Sequence, residues 1–475
     1  MRAQADAHVT PAPGENASPG GEELVSLVRT PMRWAGAAAA AALLVVAACG
    51  GTSSSSSGTT SFKGTRNVGL DIAITGQSAL YGHAISQAVK LAVADLNASG
   101  GVAGYKLQAD ILDDGTDVNK SVENTRQLIL QDNAAVLIGP VTSAQCAATS
   151  PITKQNRVIT IAATCNSYQL TTEPDLLNPY WVSIVPNTYM EGTSAGTLVG
   201  KLPNVKNIFI VSPNYLFGRS ETNAFVAQLK KVNPSATIVN PQSTWYVPYP
   251  TNPRWDSTIA AIQASNPKPD LIYSNIFAAD QQNFIKQALA TDPNFFKTYP
   301  MTTLSSVDDL NALGSSYPLG MHLYMRAPFF ALTNTKLTSY LNHYRATYNG
   351  EYPSDWAVMD YDAVMTWAKA ANAAGTLDND KVLKQLVGHT FSSLRGYNFT
   401  IRTQDQQANV GETIGTTSDV TGTKYPFPTL SGITNLKGDD IIMPLDLVKE
   451  LQAGQCEQGG KPSTTDFALC PSWKS

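Results

Sequence analysis

Short apolar runs alternate with amphipathic segments along most of the chain. The runs are rich in β-branched residues and nearly continuous in apolar character, which is typical of parallel strands buried on both faces. They are Asn67–Ile74, Ala134–Gly139, Arg157–Ala163, Asn207–Ser212 and Asp270–Ser274. Between the first two runs, apolar residues recur at helical spacing, at Ile85, Val89, Ala92 and Leu96. The alternation predicts an α/β fold built on doubly wound sheets.

A single sheet cannot hold every strand–helix unit between residues 67 and 330, so the pattern predicts two α/β lobes. The first crossover between them falls near Pro186, and a second candidate is Gly320–Phe329. Past residue 395 the helical period is lost. The predicted division assigns residues 62–186 and 328–392 to lobe 1, residues 187–327 and 393–450 to lobe 2, and residues 451–475 to a C-terminal tail.

The N-terminal residues 1–48 have the pattern of a signal peptide. Arg33 precedes an unbroken apolar run, Ala35–Ala48, which is shorter than the about 20 residues that span a bilayer. A run of this length behind a positive charge suits the apolar region of an export signal. The stretch before Met32 is polar and atypical of such a signal, so we expect translation to start at Met32 and the upstream residues to be a mis-called extension.

The apolar run ends in Val46-Ala47-Ala48-Cys49-Gly50, which resembles the lipobox of bacterial lipoproteins, where the cysteine receives diacylglycerol. The alternative is ordinary cleavage that leaves Cys49 as a free thiol, a liability in an oxidising compartment. Residues 49–61 then form the lipidated cysteine and a Ser-, Gly- and Thr-rich tether that spans on the order of 20 Å. This predicts a protein anchored by lipid to the outer face of the cell membrane.

The chain has five cysteines, and assigning Cys49 to lipid leaves Cys146, Cys165, Cys456 and Cys470. Four cysteines in an exported protein allow three disulfide pairings. Sequence proximity favours Cys146 with Cys165 and Cys456 with Cys470, and buried free thiols are the alternative. No CxxC motif or histidine cluster accompanies them, so no metal site is expected.

Composition narrows the possible functions further. The chain has 475 residues, of which 43% are hydrophobic and 15% charged, and a net charge of -4, as in ordinary globular proteins. No run of Lys and Arg provides the electrostatic footprint of a nucleic-acid-binding protein. We also find no nucleophile elbow, HExxH motif, Walker loop or dinucleotide fingerprint, so neither catalysis nor a cofactor is expected.

Several motifs follow one another in the order of a known family. They are Thr75-Gly76, Tyr81-Gly82, Ala88–Asn97, Gly100-Gly101, Lys106-Leu107, Asp113-Asp114, Leu137–Ser143, Phe217-Gly218-Arg219 and Tyr361-Asp362-Ala363. Across most of residues 65 to 400, the chain resembles the branched-chain amino-acid-binding family, the type I periplasmic solute-binding proteins of ABC importers.

The resemblance implies two doubly wound lobes joined by crossover hinge strands, in a monomer. Such a protein captures an amino acid or related small carboxylate between its lobes and delivers it to an ABC permease. Two alternatives stay open: a binding protein for an apolar or aromatic carboxylic acid that lacks an amine, and a ligand-sensing receptor subunit.

Ser143 is the first candidate for the carboxylate site. Ligands of open α/β sheets bind beyond the carboxyl ends of strands, and Ser143 follows such an end where a helix begins. The amides of a helix N-terminus favour a carboxylate, to which the Ser143 hydroxyl can add a donor. The alternative is that Ser143 only caps the helix. The resemblance implies a second carboxylate-binding loop at Ala163, Thr164 and Asn166.

The resemblance also implies aromatic contacts at Tyr81, which would stack on the ligand, and at Phe217 and Phe277. Leu304 departs from the family pattern, because amino-acid binders place there an acidic residue that pairs with the ligand ammonium. The nearest carboxylates are Asp308 and Asp309. A buried ammonium without a partner is costly. Either a small gap in the match brings one of the aspartates into the site, or the ligand has no ammonium.

Overall fold

The structure is a computed structural model that describes residues 61–250, 254–419, 425–456 and 470–474. The predicted signal peptide, Cys49 and nearly all of the predicted tether lie outside the described residues. Those that are described belong to one compact unit, Thr59–Ser475. Within these ranges, no helix combines the length and the apolar character needed to cross a membrane.

The described chain contains two large sheets and one small one. The strands are β1 (Thr65–Ile72), β2 (Lys106–Asp113), β3 (Ala134–Ile138), β4 (Thr160–Ala162), β5 (Trp181–Ser183), β6 (Asn207–Pro213), β7 (Thr237–Ile238), β8 (Tyr246–Val247), β9 (Leu271–Ser274), β10 (Met301–Leu304), β11 (His322–Met325), β12 (Thr390–Ser392), β13 (Asn398–Thr400), β14 (Glu412–Ser418) and β15 (Thr429–Leu436).

Helices connect the strands and cover the sheets. They are α1 (Ala79–Ala98), α2 (Val118–Leu130), α3 (Ser143–Asn156), α4 (Gln169–Thr172), α5 (Thr188–Gly200), α6 (Leu216–Val232), α7 (Asp256–Ala264), α8 (Ala278–Thr291), α9 (Phe295–Thr298), α10 (Val307–Leu313), α11 (Thr335–Thr347), α12 (Asp355–Ala374), α13 (Asn379–Leu386), α14 (Gly438–Ile441), α15 (Leu445–Gln452) and α16 (Pro471–Lys474). Short 3-10 turns lie at Pro174–Leu176, Gln242–Thr244, Gly314–Ser316 and Phe329–Ala331.

The first sheet has the order β2-β1-β3-β4-β5, and all its strands are parallel. The chain reverses its winding direction between β1 and β3, so the crevice at this switch point opens beyond their carboxyl ends. Helix α12 packs along α1 on this sheet, although the two helices are far apart in sequence.

The second sheet has the order β15-β14-β11-β10-β9-β6-β7, with β8 paired to β6. Its strands from β6 to β11 run parallel, whereas β14 and β15 are antiparallel additions at one edge. The winding reverses between β6 and β9, which creates a second crevice beyond their carboxyl ends. Two doubly wound sheets confirm the predicted fold class.

The chain crosses between the sheets after β5, after β11 and before β14. The last crossing follows a segment that pairs with the first sheet: Ser183 N donates a hydrogen bond to Gln406 O at 3.0 Å, and Ala408 N donates to Ser183 O at 2.8 Å. The predicted lobe boundary at residue 393 therefore precedes residues that contact β5.

The structure contains two disulfides, Cys146–Cys165 and Cys456–Cys470, which confirms the pairing predicted from sequence proximity. The first joins α3 to the loop after β4. The second closes the C-terminal segment beside Glu450. Because its sulfurs are bonded to each other, they offer no thiolate to a metal ion, and Glu450 accepts hydrogen bonds from Ser472.

Candidate functional site

A small cavity of about 20 Å³ lies between the carboxyl ends of the two sheets. It is lined by Tyr81, Val141, Ser143, Thr164, Asn166, Tyr215, Phe217, Phe277, Leu304, Arg326 and Trp356. The lining comes from both lobes, as expected where two switch-point crevices face one another. A cavity of this volume has room for about one water molecule, so a solute can bind here only if the two lobes move apart.

Seven of the eight candidate ligand residues named from the sequence line this cavity. The eighth, Ala163, is fully buried and is not part of the lining. Sequence analysis missed Val141, Tyr215, Arg326 and Trp356. Arg326 carries a signal that could have found it, because it interrupts the otherwise apolar stretch Leu323–Phe330.

Tyr81 lies in the first turn of α1, which follows β1 after a loop of six residues. A Cβ atom on its neighbour Gly82 would lie 1.8 Å from the Ala73 carbonyl oxygen, so only glycine permits this close approach of α1 to the strand end. The Tyr81 ring centroid lies 4.5 Å from that of Trp356 and 6.2 Å from that of Phe277. Tyr81 is thus held among aromatic rings of both lobes.

The hydroxyl of Tyr81 bridges the lobes. It donates a hydrogen bond to the carboxylate of Asp309, 3.1 Å from each oxygen, and accepts one from Ala278 N at 3.0 Å. Nearby, Gln77 Nε2 donates to Phe277 O at 3.1 Å. These contacts close the cleft over the cavity.

Asp309 itself is buried and does not line the cavity. It forms a capping box at the start of α10, where its Oδ2 accepts hydrogen bonds from Ser306 N at 3.0 Å and from Ser306 Oγ at 2.8 Å. Burial raises the pKa of Asp309 to about 7, although these hydrogen bonds oppose the rise. Burial also raises the pKa of the adjacent Asp308. Leu304 lines the cavity, and neither aspartate does.

Ser143 organises the opposite wall of the cavity. Its Oγ accepts hydrogen bonds from Asn166 N at 3.3 Å and from Ser167 N at 3.1 Å. Helix α3 is capped by Thr142, which forms a capping box with Gln145, so the alternative that Ser143 is the cap is wrong. The Ser143 hydroxyl accepts both bonds through its oxygen, and its own proton stays available to a ligand.

The loop after β4 is held in place by several contacts. Thr164 Oγ1 donates to Pro140 O at 2.8 Å, and Cys165 is joined to α3 by its disulfide. Asn166 Nδ2 donates to Glu191 Oε2 at 2.7 Å and to Pro186 O at 2.8 Å. The polar groups of this loop are therefore fixed before any ligand arrives.

Arg326 follows β11 directly and carries the only formal charge among the residues that line the cavity. Its Nε donates to Glu191 Oε1 at 2.5 Å, and its Nη1 donates to Thr164 O at 3.3 Å. The guanidinium carbon lies 4.6 Å from the ring centroid of Trp356. Burial raises the pKa of Glu191, whereas the positive charge of Arg326 opposes that rise.

Aromatic and aliphatic side chains form the remaining wall. Phe217 and Phe277 meet edge to face with centroids 5.6 Å apart, and Tyr215 stacks on Tyr249 at 4.0 Å. The cavity thus has a polar end, with a guanidinium and a serine hydroxyl, and an apolar end lined by rings. This arrangement suits a small amphipathic anion.

Comparisons with known proteins agree with this description. Residues 65–416 match the family described as periplasmic binding protein. The chain is similar to the Leu/Ile/Val-binding protein BraC3 of Rhizobium johnstonii, with 26% identity over 165 residues, which are 34% of this chain and 43% of that relative. The matched part of the chain thus spans less than half the length of that relative.

Solved structures share the fold. A solute-binding protein of an ABC transporter from Rhodopseudomonas palustris BisB5, in complex with 3,4-dihydroxybenzoic acid, superposes with a TM-score of 0.66 at 21% identity, covering 78% of this chain and 98% of that one. The leucine-binding protein LivK of Thermotoga maritima superposes with a TM-score of 0.66 at 16% identity, covering 79% of this chain and 99% of that one.

The family match extends over most of the described chain, and it includes the first sheet, the parallel strands of the second sheet and every residue that lines the cavity. It confirms the resemblance inferred from the order of the sequence motifs. The chain belongs to the periplasmic binding protein family, and it shares its fold with members such as the leucine-binding protein LivK.

Proposed function

We propose that the protein is an extracytoplasmic solute-binding protein of an ABC importer, which captures a small carboxylate between its lobes and delivers it to a membrane permease. The observation that carries the proposal is the cavity between the lobes, with Arg326 and Ser143 at one end and aromatic rings at the other. The family, with its two-lobed fold, supports the transport role.

The charge of Arg326 supports an anionic ligand. Two of its nitrogens are engaged by Glu191 and Thr164, and no hydrogen bond from Nη2 is found within the described part of the chain. A guanidinium shielded from water binds carboxylates strongly, because it offers charge-assisted hydrogen bonds in a fixed planar geometry. The N-terminus of α3 and the Ser143 hydroxyl add donors on the same side.

An acid without an amine fits the cavity better than an amino acid does. None of the residues that line the cavity carries a carboxylate. An ammonium enclosed there would lose its hydration without gaining an ionic partner, which is costly. The Rhodopseudomonas palustris neighbour is in complex with an aromatic acid, so the fold can hold such a ligand. We therefore favour an apolar or aromatic carboxylic acid, with an amino acid as the rival.

Hinge closure is the mechanism that we infer. Contacts that join the lobes surround the cavity: Tyr81 meets Asp309, and Asp355 Oδ2 accepts a hydrogen bond from Val307 N at 2.8 Å. A ligand that touches both lobes selects the closed form by differential affinity. The permease then recognises the joint surface of the closed lobes. Small-angle scattering should show compaction on ligand binding, and unchanged dimensions with a bound ligand would contradict hinge closure.

A thermal-shift screen tests the ligand class. Aromatic acids, aliphatic acids and amino acids are compared at equal concentration. A ligand at 100 times its Kd stabilises the folded protein by about 2.7 kcal/mol. We expect stabilisation by acids that lack an amine. Stabilisation by amino acids alone would reverse the choice between the two ligand classes, and a panel without effect would contradict the proposed solute-binding function.

We further propose that Cys49 carries the lipid that anchors the protein outside the cell membrane, with Met32 as the translation start. Cys49→Ser should move the protein from the membrane fraction to the soluble fraction. Mass spectrometry of the mature N-terminus measures the lipid directly. A mature chain that begins elsewhere, or an unmodified Cys49, would contradict the anchor.

A further inference from the structure

Two buried carboxylates lie directly behind the lining of the cavity without reaching it. Glu191 accepts hydrogen bonds from Arg326 and Asn166, one on each oxygen. Asp309 accepts from Tyr81 on both oxygens. Arg326, Asn166 and Tyr81 themselves line the cavity. Both carboxylates are thus covered by donors of the protein.

The geometry around the Tyr81 hydroxyl fixes the direction of its proton. Ala278 N donates to the phenolic oxygen at 3.0 Å, so the oxygen acts as acceptor on that side. Its own proton is directed towards Asp309, which lies 3.1 Å away. Both side chains are only 1% exposed, so water does not compete for this hydrogen bond. The hydroxyl therefore stands between the carboxylate and the cavity.

Asp309 is held in position independently of Tyr81. The capping box with Ser306 fixes its Oδ2, and the backbone of α10 fixes its Cα. Without the Tyr81 hydroxyl, the carboxylate would stay where it is and lose a donor on the side of the cavity. A buried carboxyl group that loses a donor favours a new one. An ammonium is the strongest candidate, because its positive charge keeps Asp309 ionised against the burial that raises its pKa to about 7.

We propose that Tyr81 determines specificity: its hydroxyl occupies the Asp309 carboxylate that would otherwise pair with a ligand ammonium, so the protein selects carboxylic acids over their α-amino counterparts. This inference rests on the proposed function, since it concerns the ligand class of the same cavity. The inference attributes the selectivity to the hydrogen bond between Tyr81 and Asp309, rather than to the absence of an acidic residue at Leu304.

Two pairs of ligands test it, because the members of each pair differ only in the α-amine: 3-phenylpropionate with phenylalanine, and 4-methylpentanoate with leucine. Their affinities are measured by calorimetry for the wild-type protein and for Tyr81→Phe, which keeps the ring. The wild-type protein should bind the acid of at least one pair more than tenfold tighter than the amino acid. Tyr81→Phe should shift that ratio towards the amino acid by roughly 10- to 100-fold, the effect of one charge-assisted hydrogen bond.

Two further variants show whether the shift arises from Asp309. Tyr81→Phe combined with Asp309→Asn should lose the gained affinity for the amine, because the amide carries no charge. Tyr340→Phe is the matched control: the Tyr340 hydroxyl is also buried and donates to Ala357 O at 2.9 Å, away from the cavity. It should leave the affinity ratio unchanged.

The outcomes separate the inference from the function on which it rests. A wild-type protein that binds the amino acid of a pair more tightly would overturn the role of Tyr81 and leave the solute-binding function standing. Equal weakening of both ligands in Tyr81→Phe would overturn it as well. A folded wild-type protein that binds no acid and no amino acid at all would contradict the proposed function. The ratio of the affinities of the wild-type protein for the acid and for the amino acid can by itself overturn the inference. The test therefore does not depend on whether the Tyr81→Phe variant folds stably.

Discussion

Arg326 Nε donates a hydrogen bond of 2.5 Å to Glu191 Oε1, and the two side chains are 4% and 0% exposed. Arg326 follows the last parallel strand of the second sheet, whereas Glu191 lies in the first turn of α5, after the chain has left the first sheet. This buried ion pair therefore links two crossover segments. Because Arg326 also lines the cavity, a ligand bound there would share this guanidinium with Glu191.

Replacement of Arg326 by Lys tests this shared role. Lysine keeps the charge but loses the planar set of donors, so it cannot serve Glu191 and a ligand carboxylate together. We expect ligand affinity to fall by at least about tenfold, equivalent to about 1.4 kcal/mol, measured by calorimetry. Complete removal of the charge, as in Arg326→Met, should cost about 3 to 5 kcal/mol of unfolding free energy, because Glu191 is left buried and unpaired.

Arg345→Lys is the control for this substitution. The Arg345 guanidinium also lies over an aromatic ring, 4.3 Å from the centroid of Tyr352, and its Nε donates to Gly350 O at 3.1 Å, outside the cavity. Its replacement should leave ligand affinity unchanged. An Arg326→Lys protein with wild-type affinity would remove Arg326 from the ligand site.

Ser143→Ala should weaken both the ligand site and the fold. The hydroxyl that accepts from Asn166 N and Ser167 N disappears, and two buried amides lose their acceptor. We expect a loss of about 1 to 3 kcal/mol in unfolding free energy from the amides. A lost hydrogen bond to the ligand carboxylate should cost about 1.5 to 3 kcal/mol of binding free energy.

Ser150→Ala, on the same helix, provides the comparison. Ser150 is buried and its Oγ accepts from Asn178 Nδ2 at 3.1 Å, but it does not line the cavity. It should lower stability and leave the affinity intact. If Ser143→Ala lowers stability alone, Ser143 has no direct contact with the ligand.

Removal of the Cys146–Cys165 disulfide by a double Cys→Ala change should cost about 3 kcal/mol, because the unfolded chain regains the freedom of a loop with a sequence separation of 19. The loop that contains Thr164 and Asn166 is tied to α3 by this bond, so ligand affinity should fall as well. Removal of Cys456–Cys470, with a sequence separation of 14, should cost a similar amount without changing affinity. If removal of Cys146–Cys165 lowers ligand affinity no more than removal of Cys456–Cys470 does, the cavity wall keeps its shape without the Cys146–Cys165 disulfide.

Stability should depend on pH through Asp71. This buried side chain accepts hydrogen bonds from Asn124 Nδ2 at 2.8 Å and from Ser121 Oγ. Burial, together with the nearby charge of Asp114, raises its pKa from 3.8 to about 8. The folded state therefore holds a proton that the unfolded state releases above pH 4. The stabilisation is fully present below about pH 4 and is lost as the pH rises through about 8, with a slope of about 1.4 kcal/mol per pH unit between them.

Asp71→Asn mimics the protonated carboxyl group, so it should remove the part of the pH dependence of the unfolding free energy that Asp71 causes. The variant should therefore gain stability relative to the wild-type protein as the pH rises from 5 to 8. Denaturant unfolding at several pH values measures it. Asp256→Asn is the control, because its side chain is 65% exposed and should not alter the slope. Parallel pH profiles for the wild-type protein and Asp71→Asn would show that Asp71 does not titrate in this range.

Much of the fold is visible in the sequence, because strands buried on both faces read as continuous apolar runs. Strands β1, β3, β4, β6 and β9 each overlap a predicted run. Strands β10 and β11 were missed, because β10 has two threonines at its centre and β11 begins with His322, so neither strand is a continuous apolar run. Strand β2 was also missed, since most of its residues are only partly buried and its pattern is mixed.

The residues of the candidate site also divide into those that the sequence analysis named and those that it missed. Ser143 was found because it begins a helix after a strand, and in a doubly wound sheet such positions converge at the switch point. Tyr81 and Phe217 were found through the family resemblance. Arg326 and Trp356 were missed, since they come from crossover segments whose position relative to the cavity depends on how the lobes meet. No local pattern encodes that relation.

By itself, the sequence predicted two α/β lobes, because local periodicity reveals the strands and helices, and the proximity of the cysteines favoured the observed disulfide pairing. The family resemblance indicated most of the residues that line the cavity. Only the tertiary structure decided what the cavity offers to a ligand. Tyr81 and Asp309 are 228 positions apart and lie in different lobes, yet they share a hydrogen bond. Whether a carboxylate is available or already occupied depends on such contacts, since hydrogen bonds form between neighbours in space.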